Sequence, residues 1–494
     1  MQEYEKKHLA RVLQNAAECT VLLKSDGSFP LESTGKLDAF GSGLRYTIKG
    51  GTGSGEVNSR FTFTIEQGLE RAGFEITSKE WLDAYDQVRV EAQKAFRVQL
   101  KKEAKEKHKN IIMYAMGKTM KEPEHSLKLV KKADAAVYVV SRISGEGSDR
   151  EVTEGDVKLN ASEIRDILAL DQMYEHFMLV LNVGGVVDLS PVAEVRNILL
   201  LSQLGVHCGK VLADILTGKQ NPSGKLSTTW AAYEDYCQEG TFGEWDDTRY
   251  KEGIYVGYRY FDSVGKKALF PFGYGLSYTT FDIKPVSVTA KEGNFTVKAS
   301  VTNTGTRPGK EVVQVYLSQP QGKLDKAYQE LAGFAKTHLL KPGAEEELTI
   351  NFRLQDLASY DEEAEAYILE AGTYVIRVGN SSVSTVIAAT AKLDETVTAL
   401  QAKNCLGTPD FKDAKLRQEI PEEIPEGTPE ITIAAKEIFS DRVYYLAVEH
   451  FDKRVKTLSN EELTYLLIGG FDPKAKGLSI IGNAAKNVAG AAGE

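Results

Sequence analysis

The chain has 494 residues, of which 42% are hydrophobic and 26% are charged, and its formal net charge is −10. These values are typical of a globular protein with about two to four domains, and the negative charge argues against a nucleic acid or an anionic membrane as partner. No apolar run is long enough to span a bilayer.

The start of the chain and its cysteines indicate an intracellular location. Residues 1–18, MQEYEKKHLARVLQNAAE, predict a charged helical segment rather than a signal peptide. The cysteines Cys19, Cys208, Cys237 and Cys405 are scattered and form no C-x-x-C pair, so the sequence predicts neither a disulfide framework nor a zinc site. We therefore expect a reducing compartment and a cytoplasmic protein.

Residues 19–281 alternate short β-rich runs with helical patterns. Strands are predicted at TVLL, KLDAF, FEIT, AAVYVV and FMLVLNV, and helices at FTIEQGLERAG, ASEIRDILAL and HCGKVLADILTG. Asn160 and Glu163 form a predicted capping box at the start of the second of these helices. This alternation predicts an α/β domain with a mostly parallel sheet.

A lone glutamate follows the fourth of these strands. Glu146 stands between Gly145 and Gly147 in the loop SRISGEGSDREVTEGD. Ligands of open parallel sheets bind beyond the carboxyl ends of the strands, where this loop begins. A solvated loop acid and a functional carboxylate both stay open at this point, because such loops are often ordinary surface.

The spacing of neighbouring residues argues against other kinds of site. Gly41 and Gly43 begin a glycine-rich loop, but Tyr46 holds the third position of a dinucleotide fingerprint and no P-loop ending is present, so no nucleotide cofactor is expected. The acids that follow Glu146 lack calcium-loop spacing, and the sequence predicts no metal site. The Lys-rich run from 101 to 109 is interleaved with Glu and predicts a solvated helix face.

A change of period marks the next domain, residues 282–393. FTVKASVTNTG, VVQVYL, ELTINF and YVIRVG alternate apolar and polar residues, and turn sequences such as NTGTRPGK separate them. In the first of these runs, Phe295, Val297, Ala299 and Val301 share one face. The pattern predicts a small antiparallel β-sandwich.

The remaining residues divide into a linker and the start of another domain. Residues 394–457 contain the acidic, Pro-containing stretch RQEIPEEIPEGTPE, which predicts a linker or an extended wrapping segment, and a helical pattern at DRVYYLAVEHFDKRV. Residues 458–494 begin with a predicted capping box of Ser459 and Glu462. Their Gly/Ala-rich ending is typical of the opening of a further domain.

The segments around Glu146 resemble glycoside hydrolase family 3, the β-glucosidase group. VLLKSDGSFPL, FGSGLRYTIKGGTGSGEV, SRISGEGSDR, VLNVGGVVDL, VLADILTGKQNPSGKLSTTW and YKEGIYVGYRYFDS are similar, in order, to the family's α/β-sandwich domain. LFPFGYGLSYTTF, VTNTGTRPGKEVVQVYL and QELAGF are similar to the junction into its fibronectin-type-III-like domain and to that domain. The resemblance covers most of residues 19–390.

The resemblance implies a domain-swapped order. In the commonest arrangement of the family a (β/α)8 barrel comes first, whereas here the sandwich comes first and VKTLSNEELTYLLIGG resembles the helix that leads into the barrel. The implied fold is α/β plus all-β, followed by a helical and linker segment that leads to a missing barrel. The family's nucleophile is a barrel aspartate, and no segment of this chain matches its motif. A truncation, a cleavage or a second polypeptide carrying the barrel is therefore implied.

In the family, the glutamate of the SGEG loop is the general acid/base, and this role is carried over to Glu146. Retaining glycosidases place two carboxyl groups about 5–5.5 Å apart across the scissile bond, one as nucleophile and one as proton donor and then base. The proton donor needs a raised pKa, which a closed pocket beside an anionic aspartate provides. Arg142, Asp149 and Arg150 flank the loop, and we expect them to brace it through ion pairs.

The activity implied is that of an exo-acting retaining β-glucosidase that releases glucose from the non-reducing end of β-glucosides or oligosaccharides. The isolated chain is expected to be inactive, and no cofactor is expected. A β-xylosidase or another exo-β-glycosidase of the family is the alternative, and a non-catalytic carbohydrate-binding or scaffold module is a second. The residues that contact the sugar lie mostly on the family's barrel, and a homo-oligomer stays open.

Overall fold

The computed structural model of the chain describes residues 1–52, 55, 57–115, 117–145, 150–242, 244, 247–405, 407–418, 420, 423–442 and 452–468. The chain divides into two compact units, residues 1–441 and residues 442–494, and each is described by itself. Within the described ranges, no helix combines the length and the apolar character that a membrane crossing needs.

Helices and strands alternate in the first part of the chain, strands β7 to β18 follow, and α8 comes last. The helices are α1 Glu3–Ala16, α2 Ile65–Arg71, α3 Lys79–Glu106, α4 Ile111–Ala115, α5 Ala161–Met173, α6 Cys208–Leu216, α7 Tyr258–Ser263 and α8 Asn460–Ile468. The strands are β1 Val21–Lys24, β2 Lys36–Phe40, β3 Glu75–Ile76, β4 Ala135–Arg142, β5 His176–Val183, β6 Ile198–Leu200, β7 Phe281–Lys291, β8 Asn294–Asn303, β9 Val312–Ser318, β10 Glu330–Lys336, β11 Glu345–Arg353, β12 Ser359–Asp361, β13 Ala366–Leu369, β14 Gly372–Ser381, β15 Ser384–Leu393, β16 Val397–Gln401, β17 Glu430–Ile433 and β18 Asp441–Arg442.

The α/β domain is built on a six-stranded sheet with the order β1-β6-β5-β4-β2-β3. Only β1 runs antiparallel to its neighbour, so the predicted mostly parallel sheet is confirmed. The central strands β4 and β5 pair from Ala135 with His176 to Arg142 with Val183. Every residue of β4 is buried, as expected for a continuous apolar run covered by helices on both faces of a sheet.

The predicted capping box at the start of α5 is confirmed. The side-chain oxygen of Asn160 accepts a hydrogen bond from the backbone amide of Glu163 at 2.9 Å, and the Glu163 carboxylate accepts one from the amide of Asn160 at 2.9 Å. Both residues are buried. This box fixes the end of the loop that begins at β4, because it fixes where α5 begins.

The fibronectin-type-III-like domain is a sandwich of two antiparallel sheets. One has the order β10-β9-β14-β15, with β17 added in parallel beside β15, and the other has the order β11-β8-β7. The predicted inner face of β8 is confirmed, since Phe295, Val297, Ala299 and Val301 are at most 1% exposed. Beside the sandwich, β12, β13 and β16 pair in that order.

Residues 394–457, which the sequence predicts as a linker and a helix, contain the three strands β16, β17 and β18. β16 pairs with β13, and β17 pairs with β15 from Thr390 with Glu430 to Leu393 with Ile433. Both strands are short and pair with distant segments, so no local turn signal announces them. The helix predicted at DRVYYLAVEHFDKRV falls largely on residues 443–451, which lie outside the described residues.

Residues 407–418, which we call the strap, run back from the sandwich side of the chain to the α/β domain. The strap packs along the segment that includes α7 through an ion pair and three hydrogen bonds. They are Arg249 Nη2 to the Asp410 carboxylate at 3.0 Å, Ala414 N to Lys251 O at 2.7 Å, Arg417 N to the Tyr255 hydroxyl at 3.0 Å and Gln418 N to Ser263 O at 2.9 Å. The strap shares only Arg417 and Gln418 with residues 417–430, which the sequence predicts as a linker or an extended wrapping segment.

The junction of the two domains buries several polar side chains. Arg417 Nη1 donates to the carbonyl of Ala327 at 2.8 Å. On α7, the Asp262 carboxylate accepts from Gln329 Nε2 at 2.9 Å, and the same nitrogen donates to the backbone carbonyl of Ser382 at 2.6 Å. Burial raises the pKa of Asp262 to about 6, although the hydrogen bond from Gln329 and the charge of Arg377 act in the opposite direction.

The second unit contributes α8. The backbone amide of Glu462 donates to the Ser459 hydroxyl at 3.2 Å, and the Glu462 carboxylate accepts from the amide of Ser459 at 2.8 Å, so this predicted capping box is confirmed as well. The predicted start of a barrel, residues 458–494, extends beyond the described residues, which themselves close no (β/α)8 barrel.

Candidate active site

Four loops meet at the carboxyl edge of the parallel sheet. They follow β2, β4, β5 and β6, respectively. The hydroxyl of Ser141 donates to the carbonyl of Tyr46 at 2.9 Å, which ties the end of β4 to the glycine-rich loop. The amide of Asp188 donates to the carbonyl of Val157 at 2.8 Å, which ties the loop after β5 to the loop after β4.

The side chain of Asn182 joins two of these loops at the end of β5. Its Oδ1 accepts from the amide of Ile48 at 2.7 Å, and its Nδ2 donates to the carbonyls of Ile48 at 2.9 Å and Ser202 at 2.7 Å. Asn182 is fully buried, so it satisfies backbone groups that would otherwise lack partners. Sequence reasoning missed this residue, because nothing in VLNVGG distinguishes it from any other strand residue.

The predicted acid/base residue itself, Glu146, lies outside the described residues, as do its neighbours up to Asp149. The described ends of its loop are Gly145 and Arg150. We therefore describe how each end is held.

The first end of the loop lies against two glycine-containing segments. A Cβ atom at Gly145 would lie 2.2 Å from the backbone nitrogen of Thr52, and one at Gly51 would lie 2.9 Å from the carbonyl oxygen of Ser144. On the other side, a Cβ atom at Gly184 would lie 2.4 Å from the Ser144 hydroxyl. Glycine at these positions lets three backbone segments approach more closely than side chains would allow. Ser144 is therefore enclosed by the loops after β2 and β5.

The second end of the loop is held by a group of charges around Asp156. Arg150 donates to the Asp156 carboxylate through Nε, and the same carboxylate accepts from Lys121 Nζ at 2.7 Å and from the amide of Glu151 at 2.8 Å. Burial alone would raise the pKa of Asp156, but these donors outweigh it and hold that pKa below its ordinary value. Asp156 is thus an anion to which the loop is tied.

Arg142, the last residue of β4, connects this group to α5. Its Nη2 donates to both oxygens of Glu163, at 2.9 and 2.7 Å, and its Nε donates to the carbonyl of Asp156 at 2.9 Å. Burial disfavours the charge of Arg142, yet Glu163 raises its pKa above the ordinary value. The predicted ion pairs of Arg142 and Arg150 are confirmed, and Asp149 lies outside the described residues.

A further buried group, which sequence reasoning missed, borders the same edge. The Glu122 carboxylate accepts from Arg89 Nη1 at 2.6 Å to each oxygen and from the Tyr85 hydroxyl. The Arg89 guanidinium lies 4.1 Å from the centre of the Tyr46 ring, and the amide of Glu122 donates to the carbonyl of Gly155. This group joins α3 to both the glycine-rich loop and the loop after β4.

Other features of the described residues have no evident part in this edge. A cavity of about 560 Å³ opens at the opposite, amino edge, between residues 31–36 and 131–135. No group of three or more His, Cys, Asp or Glu side chains in the described ranges is arranged to hold a metal ion.

Comparison with known proteins identifies the family. The family model described as the glycosyl hydrolase family 3 C-terminal domain matches residues 20–278, and that of the fibronectin type III-like domain matches residues 311–382. The chain is 34% identical over 480 residues to β-glucosidase A of Butyrivibrio fibrisolvens, covering 87% of this chain and 56% of that protein. An exo-α-(1→6)-L-arabinopyranosidase of Bifidobacterium breve is 34% identical over 264 residues, covering 52% of this chain and 34% of that protein.

A solved structure agrees with these relatives. That of β-glucosidase 3B from Thermotoga neapolitana in complex with glucose is 35% identical and superposes with a TM-score of 0.70, covering 80% of this chain and 55% of that one. The chain spans about half the length of the curated relatives it matches. With its mixed sheet, its sandwich and a family match that extends from residue 20 to residue 278, the chain belongs to glycoside hydrolase family 3.

Proposed function

We propose that this chain is the acid/base-bearing part of an exo-acting retaining β-glucosidase, with Glu146 as the general acid/base. The observation that carries the proposal is the anchoring of the Glu146 loop at both described ends, through Ser144 and Gly145 on one side and Arg150 on the other. A proton donor must be held within hydrogen-bonding reach of the leaving oxygen, and a loop tied at both ends favours such positioning. The relatives named β-glucosidases support the choice of substrate.

In the proposed reaction, the Glu146 carboxyl group first protonates the glycosidic oxygen while the nucleophile attacks the anomeric carbon. The same group, now a carboxylate, then takes a proton from the water that hydrolyses the glycosyl-enzyme intermediate. Arg150 and Lys121 near the loop are both paired with Asp156, so their charges are offset before they can disfavour the protonated form of a nearby carboxyl group.

The nucleophile is proposed to be an aspartate of a (β/α)8 barrel, supplied by a second polypeptide or by a further part of the protein. Residues 458–494 would begin that barrel, after an N-terminal helical segment over 1–18, an acid/base domain over 19–281, a fibronectin-type-III-like domain over 282–393 and a connecting segment over 394–457. The capping box that begins α8 supports the proposed boundary at residue 458, since it fixes the start of a helix at residue 460.

A second candidate is a family 3 exo-glycosidase with another sugar preference. The observation that favours it is the relative named exo-α-(1→6)-L-arabinopyranosidase, which is as similar in sequence identity as the β-glucosidases. A β-xylosidase belongs to the same alternative. The kcat/KM values for p-nitrophenyl β-glucoside, β-xyloside and α-arabinopyranoside would decide between them.

The role of Glu146 is tested in the enzyme that contains the barrel. Glu146→Ala should lower kcat by about 10²–10⁴-fold for an alkyl β-glucoside, whose leaving group needs protonation, and azide should restore turnover of an activated aryl glucoside. Glu154→Ala is the matched control, because Glu154 is an exposed acid of the same loop. Unchanged turnover in Glu146→Ala, without azide rescue, would refute the assignment.

The proposal that this chain carries only one of the two catalytic carboxyl groups is tested separately. The purified 494-residue chain should hydrolyse no aryl β-glucoside, because it supplies one carboxyl group of the two. Robust hydrolysis by this chain alone would contradict that division.

A further inference from the structure

The outer half of α3 and α4, residues 93–115, form a projection that we call the arm. The first turns of α3 pack on the α/β domain, where Trp81 is 7% and Tyr85 is 4% exposed, and Arg89 covers Tyr46 at the carboxyl edge. From residue 93 to its end, α3 continues for about 20 Å at 1.5 Å per residue. The arm therefore extends past the edge that carries the candidate active site.

The arm has a small core of its own. Tyr114 of α4 is 8% exposed and packs against Leu100 and Ala104 of α3, which are 8% and 2% exposed. Its hydroxyl donates to the Glu103 carboxylate at 2.7 Å. These contacts hold α4 against α3, so the outer surface of the arm has a defined shape.

The arm is basic although the whole chain has a net charge of −10. Two glutamates, Glu103 and Glu106, are its only acids. All of its Lys and Arg residues are exposed; they are Lys94, Arg97, Lys101, Lys102, Lys105, Lys107 and Lys109. Among the described residues, the ion pair of Lys102 with Glu106, at 4.0 Å, is the one pair that any of them forms.

Apolar side chains are exposed beside these charges. Val98 is 66%, Ile112 is 73% and Met113 is 65% exposed. Exposed apolar side chains surrounded by charges are typical of a surface that contacts another molecule.

The same sequence contains a segment of opposite character, residues 423–430, which we call the acidic segment. It reads EIPEGTPE and contains three Glu and no Lys or Arg. Its residues are mostly exposed, with Ile424 46% exposed, and Thr428 N donates to the carbonyl of Pro425 at 3.1 Å, which closes a turn. Its end is fixed, because Thr390 N donates to the carbonyl of Pro429 at 2.9 Å and Glu430 begins β17.

Within one chain, the described residues of the arm and of the acidic segment share no hydrogen bond or ion pair. We propose that the arm of one copy of the chain docks on the acidic segment of a second copy. A two-fold dimer makes this contact twice, since each copy offers both surfaces. The acidic remainder of the chain would repel a free polyanion, whereas it attracts the arm of another copy.

The proposal is tested on the 494-residue chain by sedimentation velocity. At about 50 mM NaCl the chain should be a dimer, and at about 500 mM it should be a monomer, because salt screens exposed charge pairs. Lys101→Glu/Lys105→Glu/Lys109→Glu should raise the dissociation constant at least tenfold at low salt. The matched control is Lys7→Glu/Lys219→Glu/Lys267→Glu, which changes the net charge equally at exposed positions outside the arm and should leave the dimer intact.

A charge exchange separates the proposed contact from a misfolded arm. Glu423→Lys/Glu426→Lys/Glu430→Lys alone should also be monomeric, and mixing it with the arm variant should restore a heterodimer. A chain that is monomeric at low salt, a dimer that the arm variant leaves unchanged, or two variants that do not combine would each overturn the proposal. If the chain is monomeric and binds to a heparin column through the arm, the arm binds a polyanion instead of a second copy.

Discussion

Replacing Glu163 by alanine removes the partner of a buried arginine at the end of β4. Arg142 is 5% exposed and Glu163 is 2% exposed. The substitution leaves Arg142 Nη2 without the two carboxylate oxygens that it contacts, and it leaves the amide of Asn160 without its acceptor in the capping box.

The expected cost follows from these two losses. Breaking a buried ion pair by removing one partner costs about 3–5 kcal/mol, because an uncompensated charge stays buried. Loss of the capping contact adds about 1 kcal/mol. Because Arg142 also binds the carbonyl of Asp156, the loss extends to the turn that holds Arg150. We therefore expect Glu163→Ala to lower the free energy of unfolding by about 4–6 kcal/mol.

Urea unfolding of the chain, followed by the fluorescence of Trp81 and Trp230, measures this cost. Arg142→Met/Glu163→Gln provides the control, because it removes both charges while glutamine can keep the capping box, and it should lie within about 2 kcal/mol of the wild type. A loss below about 1 kcal/mol for Glu163→Ala would refute the reasoning, as would a double variant no more stable than the single one.

Three further predictions concern the junction, the active-site loop and a buried thiol. Between about pH 4 and 6 the folded chain keeps a proton on Asp262 that the unfolded chain has lost, so the free energy of unfolding falls as the pH rises. Above pH 6 the whole decrease, at most about 3 kcal/mol, is present. Asp262→Asn should therefore be the more stable protein at pH 7 and show a flatter profile in urea unfolding from pH 4.5 to 8; a less stable variant at pH 7 would contradict this. Gly145→Ala must displace the backbone of Thr52, so it should lower kcat of the barrel-containing enzyme about 100-fold while the unfolding midpoint of the chain changes little; unchanged kcat would contradict it. Burial raises the pKa of Cys208 to about 11, so the Cys208→Ala variant and the wild type should release equal amounts of thionitrobenzoate in native titration at pH 8 and differ by one thiol in urea.

Local sequence patterns predicted the helices and strands whose own residues supply the buried faces or the helix caps. The apolar run of β4, the alternation in β8 and the capping boxes at Asn160 and Ser459 are local signals, and the structure contains each of them. β17 has no such signal, because its stability comes from pairing with β15 rather than from its own four residues. An acidic, Pro-containing sequence before it therefore indicated only a linker or a wrapping segment.

Only part of the candidate site was predicted, because only part of it depends on signals that are local in the sequence. The position of the loop beyond β4 follows from the strand itself, and the ion pair of Arg150 with Asp156 joins charges 6 residues apart, whereas Glu163, the partner of Arg142, lies 21 residues further along the chain. The contact of Gly145 with Thr52 and the ion pair of Arg89 with Glu122 join segments separated by dozens of residues. Only the folded sheet brings them to one edge.

The strap sets an order of events during synthesis. Tyr255 receives a hydrogen bond from the backbone of Arg417, which follows it by 162 residues, and it donates to Asp325, which lies in the intervening sandwich. At about 5–20 residues per second, the ribosome needs about 8–30 s to make the intervening chain. The α/β domain thus emerges before the strap can bind the segment around Tyr255, and the sandwich domain has time to fold before this contact forms. Fragments that end before the strap would keep this nascent state permanently, with Tyr255 and its neighbours open to chaperones and proteases.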